Sequence, residues 1–224
     1  MQTKKMKTLS IILTLIFIQS VNGQNNVYEL KSLLEKIERT DSIKQKIKTA
    51  HFKNLDVIEV FNELEREIDF GFIHHRMEIM HWKGELKLNF LSENGLIKYG
   101  WISDGKSTSK KKLAPEIFKG VPDFLSEYVS KHNNYYGSNL DAADFVEQML
   151  TEYIVGFGCG FNGREISKES EATPRYSDNR NIKKLNKYLI SFSPELQTLG
   201  AIGLFKIGEL NKQQKKIINH LKSR

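Results

Sequence analysis

The residues best suited to nucleophilic chemistry lie in one glycine-rich stretch. Residues 156–163 read GFGCGFNG and contain Cys159, the chain's only cysteine. A cysteine nucleophile needs a histidine to take its proton and a third group to orient that histidine. The histidines that could act as this base are His51, His74, His75, His81, His132 and His220. No local pattern marks one of them as the partner, and a buried cysteine behaves as a small hydrophobic residue. A structural role for Cys159 is therefore the favoured interpretation, and a catalytic one the alternative.

The same stretch contains the glycine spacing of dinucleotide-binding loops. Gly158, Gly160 and Gly163 fall on the pattern G-x-G-x-x-G. Such a loop must follow a strand, open a helix and meet an acidic residue about 20 positions later. Here an amphipathic pattern of helical period precedes the glycines, a polar segment with Pro174 follows them, and residues 182–184 are Ile-Lys-Lys. The context predicts a left-handed cap that ends a helix, and no cofactor is expected.

A second group of residues could bind a metal ion. In the segment IHHRMEIMH, His74, Glu78 and His81 stand at positions i, i+4 and i+7, so they would share one face of a helix. Two imidazoles and a carboxylate are typical zinc ligands. In an extended chain, however, His74 and Glu78 point to the side opposite His81. The segment lies where helical periodicity gives way to alternation, so we expect no metal and keep this ligand set as an alternative.

The N-terminus has the features of a secretory signal peptide. Three lysines within the first seven residues precede the apolar run LSIILTLIFI, and Gly23 supplies a small residue at the cleavage site. The apolar run is shorter than the ~18 residues that span a bilayer as a helix. We therefore expect cleavage after Gly23, a mature chain that begins at Gln24 without a transmembrane segment, and a periplasmic or extracellular location outside a bacterial cytoplasm.

Composition limits the classes of partner and the means of stabilisation. Loss of the three signal-peptide lysines lowers the formal net charge from +7 to +4. This modest excess argues against nucleic acid as a partner, and the lysines at 110–112 and at 212, 215 and 216 are interpreted as solvated faces. A single cysteine cannot form an internal disulfide, but a mature chain of about 200 residues can bury a sufficient core. One mature domain, residues 24–224, is predicted.

Apolar periodicity predicts a mainly helical α+β fold. Residues 27–37 and 57–68 repeat apolar side chains at three to four positions, as amphipathic helices do. Residues 86–90 alternate, and Asn94-Gly95 follows as a turn, which predicts an antiparallel hairpin with a third strand at 78–82. Helical patterns resume after residue 113, and the polar segment 165–181 is predicted to be an exposed loop. The expected architecture is a small hairpin sheet within residues 24–113, flanked by amphipathic helices, and a helical region over 114–224.

The C-terminal segment ends this region with a predicted helical hairpin. Ser193-Pro194-Glu195 supplies a cap, a first-turn proline and an acid at the helix start, and Gly208 is predicted to end that helix. The stretch SPELQTLGAIGLFKIGEL resembles a HEAT-type helical repeat. HEAT-type scaffolds bind proteins, so the resemblance implies an interaction role. The alternative is a plain helical hairpin in which Gly200 and Gly203 allow two helices to approach closely.

These observations favour an exported, non-catalytic binding or envelope-associated protein that contacts another protein through its C-terminal helices. The competing hypothesis is a secreted hydrolase that uses Cys159 with a histidine, or a metal at His74, Glu78 and His81. A third hypothesis is an immunity-type protein that neutralises a toxin outside the cytoplasm.

Overall fold

The computed structural model describes residues 27–82, 84–104, 115–120, 123–151, 153, 155–156 and 166–223. These residues form eight helices and five strands, which divide into two compact units. The first unit comprises the described residues up to Arg66 and those from Gly71 to 120. The second comprises Glu67–Phe70 and the described residues from Asp123 onward.

The first unit is a helix-covered sheet. Its helices are α1, residues 27–34, and α2, Ile43–Thr49, with a short 3₁₀ turn at Thr40–Ser42 between them. The strands are β1 (Val57–Glu67), β2 (Ile73–His81), β3 (Gly84–Glu93), β4 (Leu96–Asp104) and β5 (Glu116–Gly120). They are ordered β1-β2-β3-β4-β5 in one sheet, and β2 to β5 pair antiparallel.

Strand register determines which side chains cover the core of this unit. Met77 lies opposite Leu88 and Ile79 opposite Leu86, and all four side chains are buried. They form one apolar cluster with buried residues of the helical segments, such as Leu34. Because alternate residues of a strand point to opposite faces, the other face of β2 carries His74, Arg76 and Glu78.

The prediction of a mainly helical fold with a small hairpin sheet is wrong, because a five-stranded sheet organises the first unit. The largest error concerns residues 57–67, which form strand β1 rather than an amphipathic helix. The helical spacing placed Phe61 on the apolar face, yet its side chain is 44% exposed while Val60 is fully buried. The helical spacing of apolar residues is therefore overridden here by strand pairing. The β-branched and aromatic residues of the segment favour that pairing. Strand β2 also begins at Ile73, ahead of the strand predicted at 78–82.

The second unit consists mainly of helices. They are α3 (Phe124–Tyr136), α4 (Ala142–Leu150), α5 (Lys168–Asp178), α6 (Ile182–Leu189), α7 (Pro194–Ile207) and α8 (Lys212–Lys222). Ser193 caps α7 by accepting a hydrogen bond from the Leu196 amide at 3.4 Å, and α7 ends at Gly208, which has φ +83°. The predicted start and end of this helix are thus confirmed. None of the helices in the described ranges is long and apolar enough to span a bilayer.

The predicted loop over 165–181 is also wrong, since most of it is helix α5. Ser167 caps this helix, and Pro174 lies inside it without breaking it. The hydroxyl of Ser177 donates to the carbonyl of Thr173 at 3.0 Å and to that of Gly203 on α7 at 3.1 Å. Small buried side chains such as Ala172 and Thr173 let α5 pack against its neighbours. Tertiary packing therefore stabilises a helix that its polar sequence and proline disfavour.

Candidate functional site

Cys159, favoured as a structural residue and kept as the alternative candidate for a nucleophile, lies outside the described residues. The same applies to the glycines at 158, 160 and 163, to the signal peptide and to the lysines at 110–112. The thiol hypothesis for a hydrolase therefore stays a hypothesis.

The metal-binding candidates do not converge. His74, Glu78 and His81 belong to strand β2, so alternation directs His74 and Glu78 to one face and His81 to the other. Among the described residues, no three His, Cys, Asp or Glu side chains are arranged to hold a metal ion. The helical spacing that suggested a ligand set does not apply, because the segment is extended.

His74 instead forms the centre of a buried hydrogen-bond network. The Arg66 Nε donates to His74 Nδ1 at 3.2 Å, so the ring proton resides on Nε2, which donates to Asn89 Oδ1 at 3.0 Å. The Arg76 Nε donates to the same amide oxygen at 3.1 Å. Burial, reinforced by the two guanidinium groups, holds the pKa of His74 well below its usual value. The imidazole is therefore neutral at physiological pH and serves to order the sheet face.

His75 is a second satisfied histidine of the same strand. Its Nε2 lies 2.8 Å from the Ser92 hydroxyl, its Nδ1 lies 3.4 Å from a Glu65 carboxylate oxygen, and its ring stacks on Phe90. Burial lowers the pKa of His75, although the Glu65 carboxylate acts in the opposite direction. This histidine is also held by packing and hydrogen bonds rather than presented as a base.

Glu78 carries an unusual protonation preference. A side-chain hydrogen bond with Glu85, assisted by partial burial and by the Glu85 charge, raises the pKa of Glu78 above its usual value. A protonated carboxyl group can donate this hydrogen bond, whereas two ionised carboxylates cannot form it. The surroundings of Glu78 therefore favour its neutral form, while Lys87 acts in the opposite direction.

The second unit contains a constellation that the sequence does not reveal. The buried Asp69 accepts a hydrogen bond from the Tyr136 hydroxyl at 2.8 Å, and its same oxygen, Oδ1, lies 3.0 Å from His220 Nε2. Asp69 and His220 are 151 positions apart, so no local motif could join them. A buried carboxylate beside a partly exposed imidazole is the geometry that orients a general base. The hydrogen bonds of Asp69 also have a structural role in this unit.

The structural role of the Asp69 hydrogen bonds is to hold the strained backbone at the next residue. Phe70, next to Asp69, has φ +66°, a left-handed conformation that bulky residues rarely adopt. Its ring packs edge-on against Tyr128 and Tyr135, with centroids at 5.7 and 6.4 Å. The left-handed conformation costs on the order of 1–2 kcal/mol, which these ring contacts and the hydrogen bonds of Asp69 offset. We interpret the Asp69 cluster as an anchor for residues 67–70 within the second unit.

The most exposed apolar group among the described residues of the second unit lies on helix α7. Phe205 is 66% exposed and Ile202, one turn earlier, is 40% exposed. Leu199 and Leu204 of the same helix, by contrast, are inaccessible to solvent. Two lysines border the pair, and we call the group of Ile202, Phe205, Lys206 and Lys222 the α7 surface.

The lysines of the α7 surface are held in different ways. The Lys222 Nζ lies 5.9 Å from the centre of the Phe205 ring, a cation–π distance. The Lys206 Nζ forms an ion pair with Asp178 at 2.7 Å, and both side chains are largely exposed. An exposed pair of this kind contributes little to stability, so Lys206 can exchange Asp178 for another carboxylate at small cost. The α7 surface thus joins apolar area to positive charge.

A comparison of the chain with protein-family models, with curated proteins and with solved structures finds no match. The HEAT-type resemblance accordingly stays a prediction.

Proposed function

We propose that this chain is an exported binding protein that contacts another protein through the α7 surface. The observation that carries the proposal is the exposure of Phe205 and Ile202 on a helix whose remaining apolar residues are packed. A large aromatic side chain in water gives up the favourable free energy of burial, roughly 1.5–3 kcal/mol. Adjacent exposed apolar residues with a polar border are typical of contact sites rather than of ordinary surface.

The C-terminal sequence supports the same proposal. The segment that resembles a HEAT-type repeat includes all of α7, and scaffolds of that type bind proteins. Aromatic and positively charged residues are the groups that interfaces use as anchors. In this proposal Phe205 is the anchor, and α7 presents it while packing closely against α6 through Gly200 and Gly203.

Export is the second part of the proposal. It rests on the lysine-rich start and short apolar run of residues 1–23 and on the small residue Gly23. N-terminal sequencing of protein recovered from the envelope or the medium should give a chain that starts at Gln24. Recovery of the uncleaved chain in the membrane pellet would contradict this part of the proposal.

The hydrolase and immunity hypotheses make different demands on the molecule. Because the three metal candidates are separated on strand β2, the hydrolase hypothesis now requires Cys159 to react. An immunity-type protein is a special case of the binding proposal whose partner is a toxin. His74 and His75 do not support the hydrolase hypothesis, since both are engaged within the sheet. The binding proposal needs no reactive group and is supported by the exposed pair on α7.

Co-purification tests the proposal directly. The tagged wild-type chain and a Phe205→Asp variant would be recovered from envelope extracts of the producing bacterium, and the bound proteins compared. The matched control is Trp82→Asp, because Trp82 is 80% exposed but lies in the first unit. We expect Phe205→Asp to lose a partner that wild type and Trp82→Asp both retain. Identical recoveries from all three proteins would overturn the proposal.

A further inference from the structure

We propose that the partner bound by the α7 surface presents an acidic amphipathic helix. This inference rests on the proposed function and adds the chemistry of the partner. It implies that an apolar side of the partner helix covers Phe205 and Ile202 while carboxylates beside that side meet the bordering lysines.

The charge of the C-terminal helices carries this inference. Residues 182–223 contain eight lysines and two glutamates, although the mature chain as a whole is only modestly basic. Lys222 and Lys206 lie directly beside the exposed apolar pair, and the lysines of α8 at positions 212, 215 and 216 are exposed. Complementary charge speeds encounter and suppresses wrong partners, so a surface of this sign selects acidic segments.

The same charge argues against a second copy of this chain as the occupant. A two-fold symmetric contact would place the α7 surface of one chain against the identical surface of another. Lys206 and Lys222 would then face the lysines of the second copy across an apolar contact that excludes water. Like charges brought together in this way oppose association.

The narrow apolar area favours a helix over a lipid surface. Only Ile202 and Phe205 are exposed apolar residues on α7, and they lie within one turn of each other. A helix that binds a membrane surface presents an apolar face along its length. The corresponding face of α7 is already used by the protein core, through residues such as Leu196, Leu199 and Leu204. The exposed apolar area that remains on α7 is small enough to be covered by one or two side chains of a partner helix.

The test uses the full mature chain and a labelled peptide of leucine and glutamate in amphipathic helical order. A matched peptide with glutamine in place of glutamate, and vesicles of anionic phosphatidylglycerol, serve as competing ligands. Binding is measured by fluorescence anisotropy of the labelled peptide. We expect the acidic peptide to bind saturably, and more weakly at higher salt. Phe205→Ser should weaken it about tenfold or more, and Lys206→Gln with Lys222→Gln should reduce its salt dependence. Trp82→Ser should leave it unchanged.

Each contrary result would overturn the inference. These results are absence of saturable binding at millimolar peptide, equal binding of the glutamine peptide, an equal effect of Trp82→Ser, or binding to the vesicles alone. Because the substituted residues are exposed, circular dichroism of each variant should match wild type. If the co-purification recovers a partner that depends on Phe205 while the acidic peptide fails to bind, the proposed acidic character of the partner is wrong, and the proposed binding function stands. Failure of both experiments removes the function itself.

Discussion

A methyl group added at Gly200 should destabilise the second unit far more than one added at Gly203. Both glycines lie on α7 where it packs against α6, and both are buried. A Cβ at position 200 would lie 2.7 Å from the Leu185 carbonyl oxygen and 2.8 Å from the Leu189 Cα, in contact with backbone. The three atoms nearest to a Cβ at position 203 all belong to the Leu185 side chain, with Cγ at 3.2 Å, Cδ1 at 3.1 Å and Cδ2 closer.

The expected loss of stability for each variant depends on whether the atoms that the new methyl group meets can move away. Backbone atoms of α6 can yield to Gly200→Ala only if the helices separate, and overpacking of this kind costs about 1–3 kcal/mol or more. Alanine regains up to ~1 kcal/mol of helix propensity over glycine. We therefore expect Gly200→Ala to lower the free energy of unfolding by about 1–2 kcal/mol or more. For Gly203→Ala a change in the Leu185 rotamer relieves most of the contact, so the net effect should be below about 1 kcal/mol.

The assay is denaturant unfolding followed by two signals. Far-ultraviolet circular dichroism reports the helices, most of which belong to the second unit. Fluorescence of the two tryptophans, Trp82 and Trp101, reports the first unit separately. Gly200→Ala should lower the urea midpoint of the dichroism transition by roughly 0.5–1 M at ordinary m values. The matched control is Gly156→Ala, because a Cβ there would have no other atom within 4 Å.

The ordering of the three variants is the critical result. An unchanged midpoint for Gly200→Ala, or a larger loss for Gly203→Ala than for Gly200→Ala, would refute the close-approach argument. A loss in the Gly156→Ala control would show that the assay responds to something other than contact between α6 and α7.

Four further predictions concern other parts of the chain. Tyr136→Phe removes the hydroxyl bound to Asp69 and should cost about 1–3 kcal/mol in the dichroism assay. Because the pKa of His74 is lowered in the folded protein, the unfolded chain takes up a proton at this histidine at a higher pH than the folded chain does. The free energy of unfolding should therefore fall as the pH drops below about 6.5, and His74→Gln should make that decline shallower in the fluorescence assay. The raised pKa of Glu78 acts oppositely: Glu78→Gln should stabilise the first unit at neutral pH, with the gain disappearing below about pH 4. Cys159→Ser should leave partner recovery unchanged in co-purification, since we interpret this cysteine as structural.

Features set by local chemistry could be predicted from the sequence. Ser193 and Gly208 bound α7 because a hydroxyl cap and a residue able to adopt positive φ are local requirements. The hairpin between β3 and β4 follows from Asn94-Gly95, both of which have positive φ as a two-residue turn requires. In each case the signal and the structure it determines lie within a few residues.

Features set by distant contacts could not be predicted in the same way. Strand β1 carries a helical apolar period, and only its place beside β2 makes it a strand. Helix α5 is polar and contains Pro174, and its small residues gain stability only when α7 is present to receive them. The Asp69 cluster joins residues 67 and 151 positions apart, so its geometry depends on the completed fold.

Site-specific photo-crosslinking from helix α7 tests the central proposal most directly. A photoreactive amino acid would replace Phe205 in the full chain, expressed and exported by the producing bacterium, with the same substitution at Trp82 as the control. We expect position 205 to form a discrete crosslink to another protein and position 82 not to form the same adduct. Mapping of the crosslinked peptide should place it in a helix of that partner. If irradiation yields no adduct at position 205, or the same adducts at both positions, the α7 surface is not a binding site and the proposed function is wrong.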